Sequence, residues 1–128
     1  LVLPYLKANK NGSIINIASV EALTPGFGLG IYSTSKAAIL MLTKNQAKEW
    51  GKYGVKANAI CPGLIKTKFS AALWQNEKML HKLEKTIPSG RMGMPEEMVG
   101  LACLLASDAG NYMTGGVYTA DGGYMIAG

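Results

Sequence analysis

Arginine and cysteine are nearly missing from this chain. Arg91 is the one Arg among 13 basic residues. Arg is the side chain that grips phosphate through a rigid fork, so the net charge of +5 does not by itself describe a nucleic-acid surface. Lys44, Lys48 and Lys52 recur every four residues and share one helix face. They read as a solvated outer face rather than an anion-binding patch, and no nucleic-acid partner is expected. The two cysteines, Cys61 and Cys103, form no CxxC and cannot make a disulfide framework. With a single His, His81, they cannot complete a zinc site, so no metal is expected. Sparse thiols fit a reducing compartment, and a cytoplasmic location is expected. No apolar run approaches the ~18 residues of a membrane span, so no membrane partner is expected. Neither an initiator Met nor a basic leader precedes Leu1-Val2-Leu3-Pro4. The expectation is a chain without a signal peptide that need not begin at a natural start. It ends Ile126-Ala127-Gly128, which is not a peroxisomal tripeptide.

What remains is a chain of 128 residues, 48% hydrophobic and 16% charged, too apolar for disorder. Surface scaling gives about 6,600 Å² folded against about 19,700 Å² extended. That suffices for one core, and residues 1–128 are expected to form a single domain. The 16 Gly and 5 Pro follow no period, which excludes collagen-like and low-complexity chains.

Leu1 to Lys7 reads as the end of a helix, closed by the Asn11-Gly12 turn. Ser13 to Ser19 is a short β-branched run and reads as a buried strand. Val20 to Gly30 is a Gly- and Pro-containing loop. Ile31 to Trp50 reads as a long helix, with stop chemistry at Gly51 and Gly54. Val55 to Cys61 is a second strand, stopped by Pro62-Gly63. Leu64 to Gly93 is polar and mixed, with one weak helix over Lys68–Lys85, and is expected to be the most mobile part. Pro95-Glu96-Glu97 starts a helix that runs to about Ala106. Gly116 to Ala120 is a third strand, ended by Asp121-Gly122-Gly123. Strands alternating with helices predict an α/β fold, three parallel strands joined by right-handed crossovers. Ligands of such sheets bind beyond the carboxyl ends of the strands. That is where Ser19, Pro62-Gly63 and Asp121-Gly122-Gly123 fall.

Tyr32-Ser33-Thr34-Ser35-Lys36 places Tyr and Lys four apart on one helix face, about 6 Å along the axis. A free tyrosine titrates near ~10 and is a poor acid–base catalyst at neutrality. A neighbouring ammonium favours the phenolate, and a drop of three units corresponds to about 4 kcal/mol. Ser19, thirteen residues earlier at a strand end, can donate to the same substrate oxygen. Tyr-x-x-x-Lys alone is common; with a Ser at this spacing it is far more specific.

These motifs resemble the C-terminal half of a classical short-chain dehydrogenase/reductase. Asn16-Ile17-Ala18-Ser19-Val20 is similar to the family's catalytic-Ser strand end, and Tyr32-x-x-x-Lys36 to its catalytic helix. Val55 to Thr67 resembles the strand ending in PG-x-I-x-T. Arg91-Met92-Gly93-Met94-Pro95-Glu96-Glu97 resembles the entry to the last helix. Ser107-Asp108, Tyr112-Met113-Thr114-Gly115 and Asp121-Gly122-Gly123 resemble the closing segment. The resemblance covers nearly the whole chain. Around Leu64 to Trp74 it is especially close to the carbonyl-reductase-like dehydrogenase/reductase branch.

The resemblance implies half of a Rossmann-type doubly wound sheet and an NAD- or NADP-dependent oxidoreductase acting on a carbonyl or secondary alcohol. It implies that Tyr32 handles the proton and Ser19 holds the substrate oxygen. Lys36 would favour the Tyr32 phenolate and hydrogen-bond the nicotinamide ribose. Pro62, Gly63, Ile65 and Thr67 would line the nicotinamide. Phe27, Leu64, Phe69, Leu73 and Trp74 are substrate-side candidates, although packing on the missing half or on another subunit competes for the last three. A homo-oligomer, dimer or tetramer, is implied for the parent protein. The family's Gly-rich phosphate loop, its NAD/NADP selector and the Asn of its catalytic tetrad belong to an N-terminal half that this chain lacks. The fragment is therefore expected to be inactive alone; the alternative is a non-catalytic remnant serving as an assembly module.

Gly26-Phe27-Gly28-Leu29-Gly30 departs from the G-x-G-x-x-G spacing and reads as a flexible substrate loop. Gly90 to Gly93 reads as a turn, His81 as a solvated helix residue, Cys61 as a small buried side chain, and Met92, Met94 and Met98 as adaptable packing. Thr114 and Asp121 are open to either a turn or a binding role.

Overall fold

A computed structural model of the chain describes residues 2–9 and 11–127. Three parallel strands, β1 (Ser13–Ile17), β2 (Lys56–Pro62) and β3 (Val117–Ala120), lie in the order β1-β2-β3. Ser13 pairs with Lys56 and Ile17 with Ile60; Ala59 pairs with Val117 and Pro62 with Ala120. The α/β expectation holds. β2 is central and buried through Cys61, as a two-sided parallel strand must be. β1 is an edge strand, only half-buried, with Ile17 53% exposed at its end.

Helix α1 (Leu3–Ala8) precedes β1; Leu1, included in the predicted helix end, lies outside the described residues. The predicted strand Ser13–Ser19 ends earlier, at Ile17. Ala18 still donates to the Ile60 carbonyl at 2.8 Å, but Ser19 leaves the ladder to cap a short 3₁₀ turn at Val20–Ala22. Capping redirects the Ser hydroxyl from sheet to loop.

Helix α2 (Gly30–Trp50) packs against β2 and buries Ser33, Leu40 and Thr43. Its inward face is partly polar. The buried Thr43 hydroxyl and Gln46 both accept from the Asn16 side chain at 2.8 Å, so a polar contact ties α2 to β1. The opposite side leaves Ile31, Met41 and Leu42 exposed.

The predicted weak helix over Lys68–Lys85 is two short ones, α3 (Ala71–Trp74) and α4 (Glu77–Glu84). Asn76 separates them because its side chain accepts from the Met79 N–H and starts a new helix, the ordinary N-cap role. An isolated parallel bridge between Ile65 and Gly93 brings the two ends of the segment together. The predicted helix at Pro95 opens as a 3₁₀ turn, Pro95–Met98, before α5 (Val99–Ala106).

Two buried polar side chains knit the base of the sheet. Asn58, fully buried, donates to the Met113 carbonyl at 2.7 Å and accepts from the Gly116 N–H at 3.0 Å. Lys56, also buried, donates to the Ser107 carbonyl at the end of α5 and to Asn111 Oδ1, a favourable place for a cation. Thr114 accepts from the Ala57 N–H, and both carboxylate oxygens of Asp121 accept from backbone N–H groups of Gly123 and Met125. The Thr114 contact ties the closing segment to β2, and the Asp121 contacts form the turn after β3. Asn58→Ala would strand the Met113 and Gly116 backbone groups without partners. The expected cost is about 2–4 kcal/mol, read as a lowered denaturation midpoint; an unchanged midpoint would refute this role.

Candidate active site

A cleft of about 800 Å³ opens beyond the carboxyl ends of β1 and β2. Its position follows from topology, because the crossovers carry the chain away from the sheet on this side. Of the residues singled out in the sequence, Ser19, Tyr32, Lys36, Pro62, Gly63, Leu64, Ile65, Thr67, Phe69 and Leu73 line it. Phe27 and Trp74 do not. Phe27 projects fully into solvent from the loop before α2. Trp74 turns beneath its own segment, donating through Nε1 to the Thr67 carbonyl at 2.9 Å, with Lys66 Nζ 4.9 Å from its ring.

Ser19 is buried at the end of β1, and its Oγ accepts from the Glu21 N–H at 3.2 Å. With that acceptor position used, the hydroxyl proton is free to donate into the cleft. Tyr32 and Lys36 enter from the first turns of α2, on the same face. Lys36 Nζ donates to the Ile17 carbonyl at 3.2 Å and stands 5.7 Å from the Tyr32 ring centre. The last carbonyl of β1 thus anchors the ammonium beside the phenol. Phe69 covers Tyr32 with its ring centre 6.2 Å away and planes 25° apart. Phe69 itself is 86% exposed, so this stack is its principal support.

The 65–74 segment is ordered by local hydrogen bonds. Ser70 Oγ donates to the Ile65 carbonyl at 2.6 Å and accepts from the Thr67 N–H at 3.0 Å. Outside the cleft lining, Arg91 forks onto Glu97 at 2.6 and 2.7 Å. Glu97 also accepts from the Met94 N–H. The Arg91 guanidinium, then that backbone bond, hold the Glu97 carboxyl at about 2 instead of 4.5. Because the folded value is depressed, this contribution is full above the unfolded carboxylate value and fades as pH falls from there through about 2. Both side chains are substantially exposed, so the stabilisation is small. A carboxyl NMR titration is expected to place the Glu97 midpoint near 2 and Arg91→Ala to raise it; an ordinary midpoint in the unsubstituted chain would contradict the pairing.

Gly63 is explained without any ligand. A Cβ there would sit 2.7 Å from the Asp121 backbone, so only glycine lets the β2 and β3 exits touch. Burial pushes the Cys61 thiol above its usual range, which keeps it protonated and unreactive. His81 is exposed on α4. Leu29 of the predicted substrate loop lines the cleft, as do Glu21 and Tyr124, which the sequence reading passed over. Glu21 stands two residues past Ser19, a spacing that would have placed it at the same strand exit.

The residues fit the nicotinamide end of a dinucleotide: the Lys36 ammonium, the hydroxyls of Ser19, Tyr32 and Thr67, and apolar walls share one cleft. They do not supply a phosphate site in the Gly26–Gly30 loop. Gly26 packs directly on the Glu21 carboxylate, to which a Cβ would come within 2.5 Å, and a carboxylate repels phosphate. No helix among the described residues is long and apolar enough to cross a membrane, and no group of three metal-ligating side chains occurs among them.

Residues 1–125 match the family model described as Enoyl-(Acyl carrier protein) reductase. Dehydrogenase/reductase SDR family member 4 of Oryctolagus cuniculus is 38% identical over 122 residues, 95% of this chain and 47% of that protein. 3-oxoacyl-[acyl-carrier-protein] reductase FabG of Thermotoga maritima is 39% identical over 126 residues, 98% of this chain and 50% of that protein. A gluconate 5-dehydrogenase from Burkholderia cenocepacia, solved in complex with NADP and tartrate, superposes with a TM-score of 0.94 at 35% identity, over 99% of this chain and 50% of that one. The chain spans about half the length of the relatives it matches. Its three-stranded sheet is the matching half of their Rossmann-type fold, and the chain belongs to the short-chain dehydrogenase/reductase family of oxidoreductases.

Proposed function

We propose that this chain is the catalytic half of a nicotinamide-dependent oxidoreductase that interconverts a partly apolar ketone and its secondary alcohol. The observation that carries this reading is the convergence of Ser19, Tyr32 and Lys36 on one cleft at the strand ends. Lys36, Tyr32, Pro62, Gly63, Ile65 and Thr67 would hold the nicotinamide and ribose of NAD or NADP. When bound, that group supplies or accepts the hydride. Ser19 donates a hydrogen bond to the substrate oxygen and so fixes the carbonyl. Tyr32 gives its phenolic proton to that oxygen in reduction and takes it back in oxidation. Lys36 favours the charge left on the phenol, and the Ile17 carbonyl keeps the ammonium in place. Leu64, Phe69 and Leu73 line the cleft with apolar surface, which suits an apolar part of the substrate.

The phosphates of the dinucleotide and the outer edge of β1 call for an N-terminal half, and the working enzyme is this chain joined to it. Exposed Ile31, Met41 and Leu42 on α2 support assembly into a homo-oligomer. The partner of the site is a small molecule, and the enzyme works in the cytoplasm, away from nucleic acid and membrane.

In the joined enzyme, Lys36→Ala is expected to lower kcat about a hundredfold and weaken cofactor binding about tenfold. Steady-state kinetics with cofactor titration reads both. Loss of neither would remove Lys36 from the site and the reading with it.

A further inference from the structure

Two charged side chains line the cleft, Lys36 and Glu21. Lys36 is committed to the Ile17 carbonyl and to Tyr32. Glu21 has no role in the chemistry above and no cationic partner; the ion pair found among the described residues is Arg91–Glu97. Glu21 Oε2 accepts from the buried Ser33 hydroxyl at 3.3 Å, and Oε1 has no donor among the described residues. The Glu21 N–H meanwhile holds Ser19 Oγ. One residue therefore fixes, through its N–H, the hydroxyl that receives the substrate oxygen, and brings a carboxylate to the lining of the same cleft. Gly26 lies against that carboxylate, so the loop covers one side of it while the residue still lines the cleft.

We propose that Glu21 sets substrate polarity: it selects ketones and alcohols bearing a hydroxyl or ammonium next to the reacting carbon, and rejects carboxylates there. A carboxylate only accepts hydrogen bonds, and a charged acceptor makes stronger ones than a neutral acceptor does. A substrate lacking a donor leaves the charge desolvated and unpaired, and a substrate anion meets it as a like charge. This inference rests on the oxidoreductase reading above.

The test uses the joined enzyme and four ketones of one skeleton, bearing a hydroxyl, an ammonium, a methyl or a carboxylate beside the carbonyl. Gln at position 21 keeps the size of the side chain and an acceptor for Ser33. For Glu21→Gln, KM is expected to rise about tenfold for the hydroxy and amino ketones and to fall about tenfold for the keto acid. For the methyl ketone KM is expected to fall severalfold, less than for the keto acid, because the substitution removes a charge this substrate leaves unpaired. Glu21→Asp, which keeps the charge, should retain the original order of preference. An equal change on all four substrates would make Glu21 a mere prop for the 23–29 loop and overturn the proposal. An unsubstituted enzyme inert toward all four ketones would overturn the oxidoreductase reading and this inference together.

Discussion

Tyr32→Phe in the joined enzyme is expected to lower kcat about a thousandfold and to leave the cofactor dissociation constant within about twofold. The asymmetry is the point. Phe keeps the ring, its stack against Phe69 and its distance from Lys36, and removes only the oxygen through which the proton moves. A loss confined to turnover therefore separates proton transfer from cofactor binding, whereas Lys36→Ala affects both. Undiminished turnover in Tyr32→Phe would remove Tyr32 from the mechanism.

The 128-residue chain by itself is expected to show no saturable cofactor binding at millimolar concentration, no reductase activity, and self-association on sizing. Its accessible surface is 8244 Å², against about 6,600 Å² for a compact monomer of its mass. The excess follows from the fold. β1 is an edge strand whose outer side pairs with no strand among the described residues, and such an edge invites association. The exposed apolar side chains Ile17, Ile31, Met41 and Leu42 add to it. The dinucleotide phosphates meet no glycine loop here, since the Gly26 loop is occupied by Glu21. A stable monomer with micromolar cofactor affinity would show that the half-sheet is self-sufficient.

Much of this architecture was legible because local chemistry and tertiary context agree. Val55 to Cys61 reads as a short strand stopped by Pro62-Gly63, and the protein buries it on both faces, Lys56 and Asn58 included. Tyr32 and Lys36 share a face by helix geometry alone, and the strand exits had to surround the cleft once the crossovers were parallel. The misjudged places are those where one side chain settles the outcome. Ser19 ends β1 early because its hydroxyl caps the next turn, and Asn76 splits one weak helix into two. Phe27 and Trp74 are substrate-side candidates by the resemblance, yet the direction of each depends on contacts that no pattern encodes. Trp74 is drawn under its segment by the Thr67 carbonyl, and Phe27 points into solvent from the turn between Gly26 and Leu29. Glu21 was overlooked because a lone acid beside a capping Ser carries no periodicity; its importance emerges only from what surrounds it.

The central claim is that this cleft passes a proton through Tyr32 to a carbonyl oxygen while hydride reaches the carbonyl carbon. The most direct measurement is deuterium transfer in the joined enzyme, with reduced cofactor labelled at its transferable position and product analysed by NMR. The account predicts deuterium on the new carbinol carbon at the rate of turnover, and a transfer slowed about a thousandfold in Tyr32→Phe. Cofactor oxidation that leaves no deuterium in the product, or transfer at an unchanged rate in Tyr32→Phe, would contradict it.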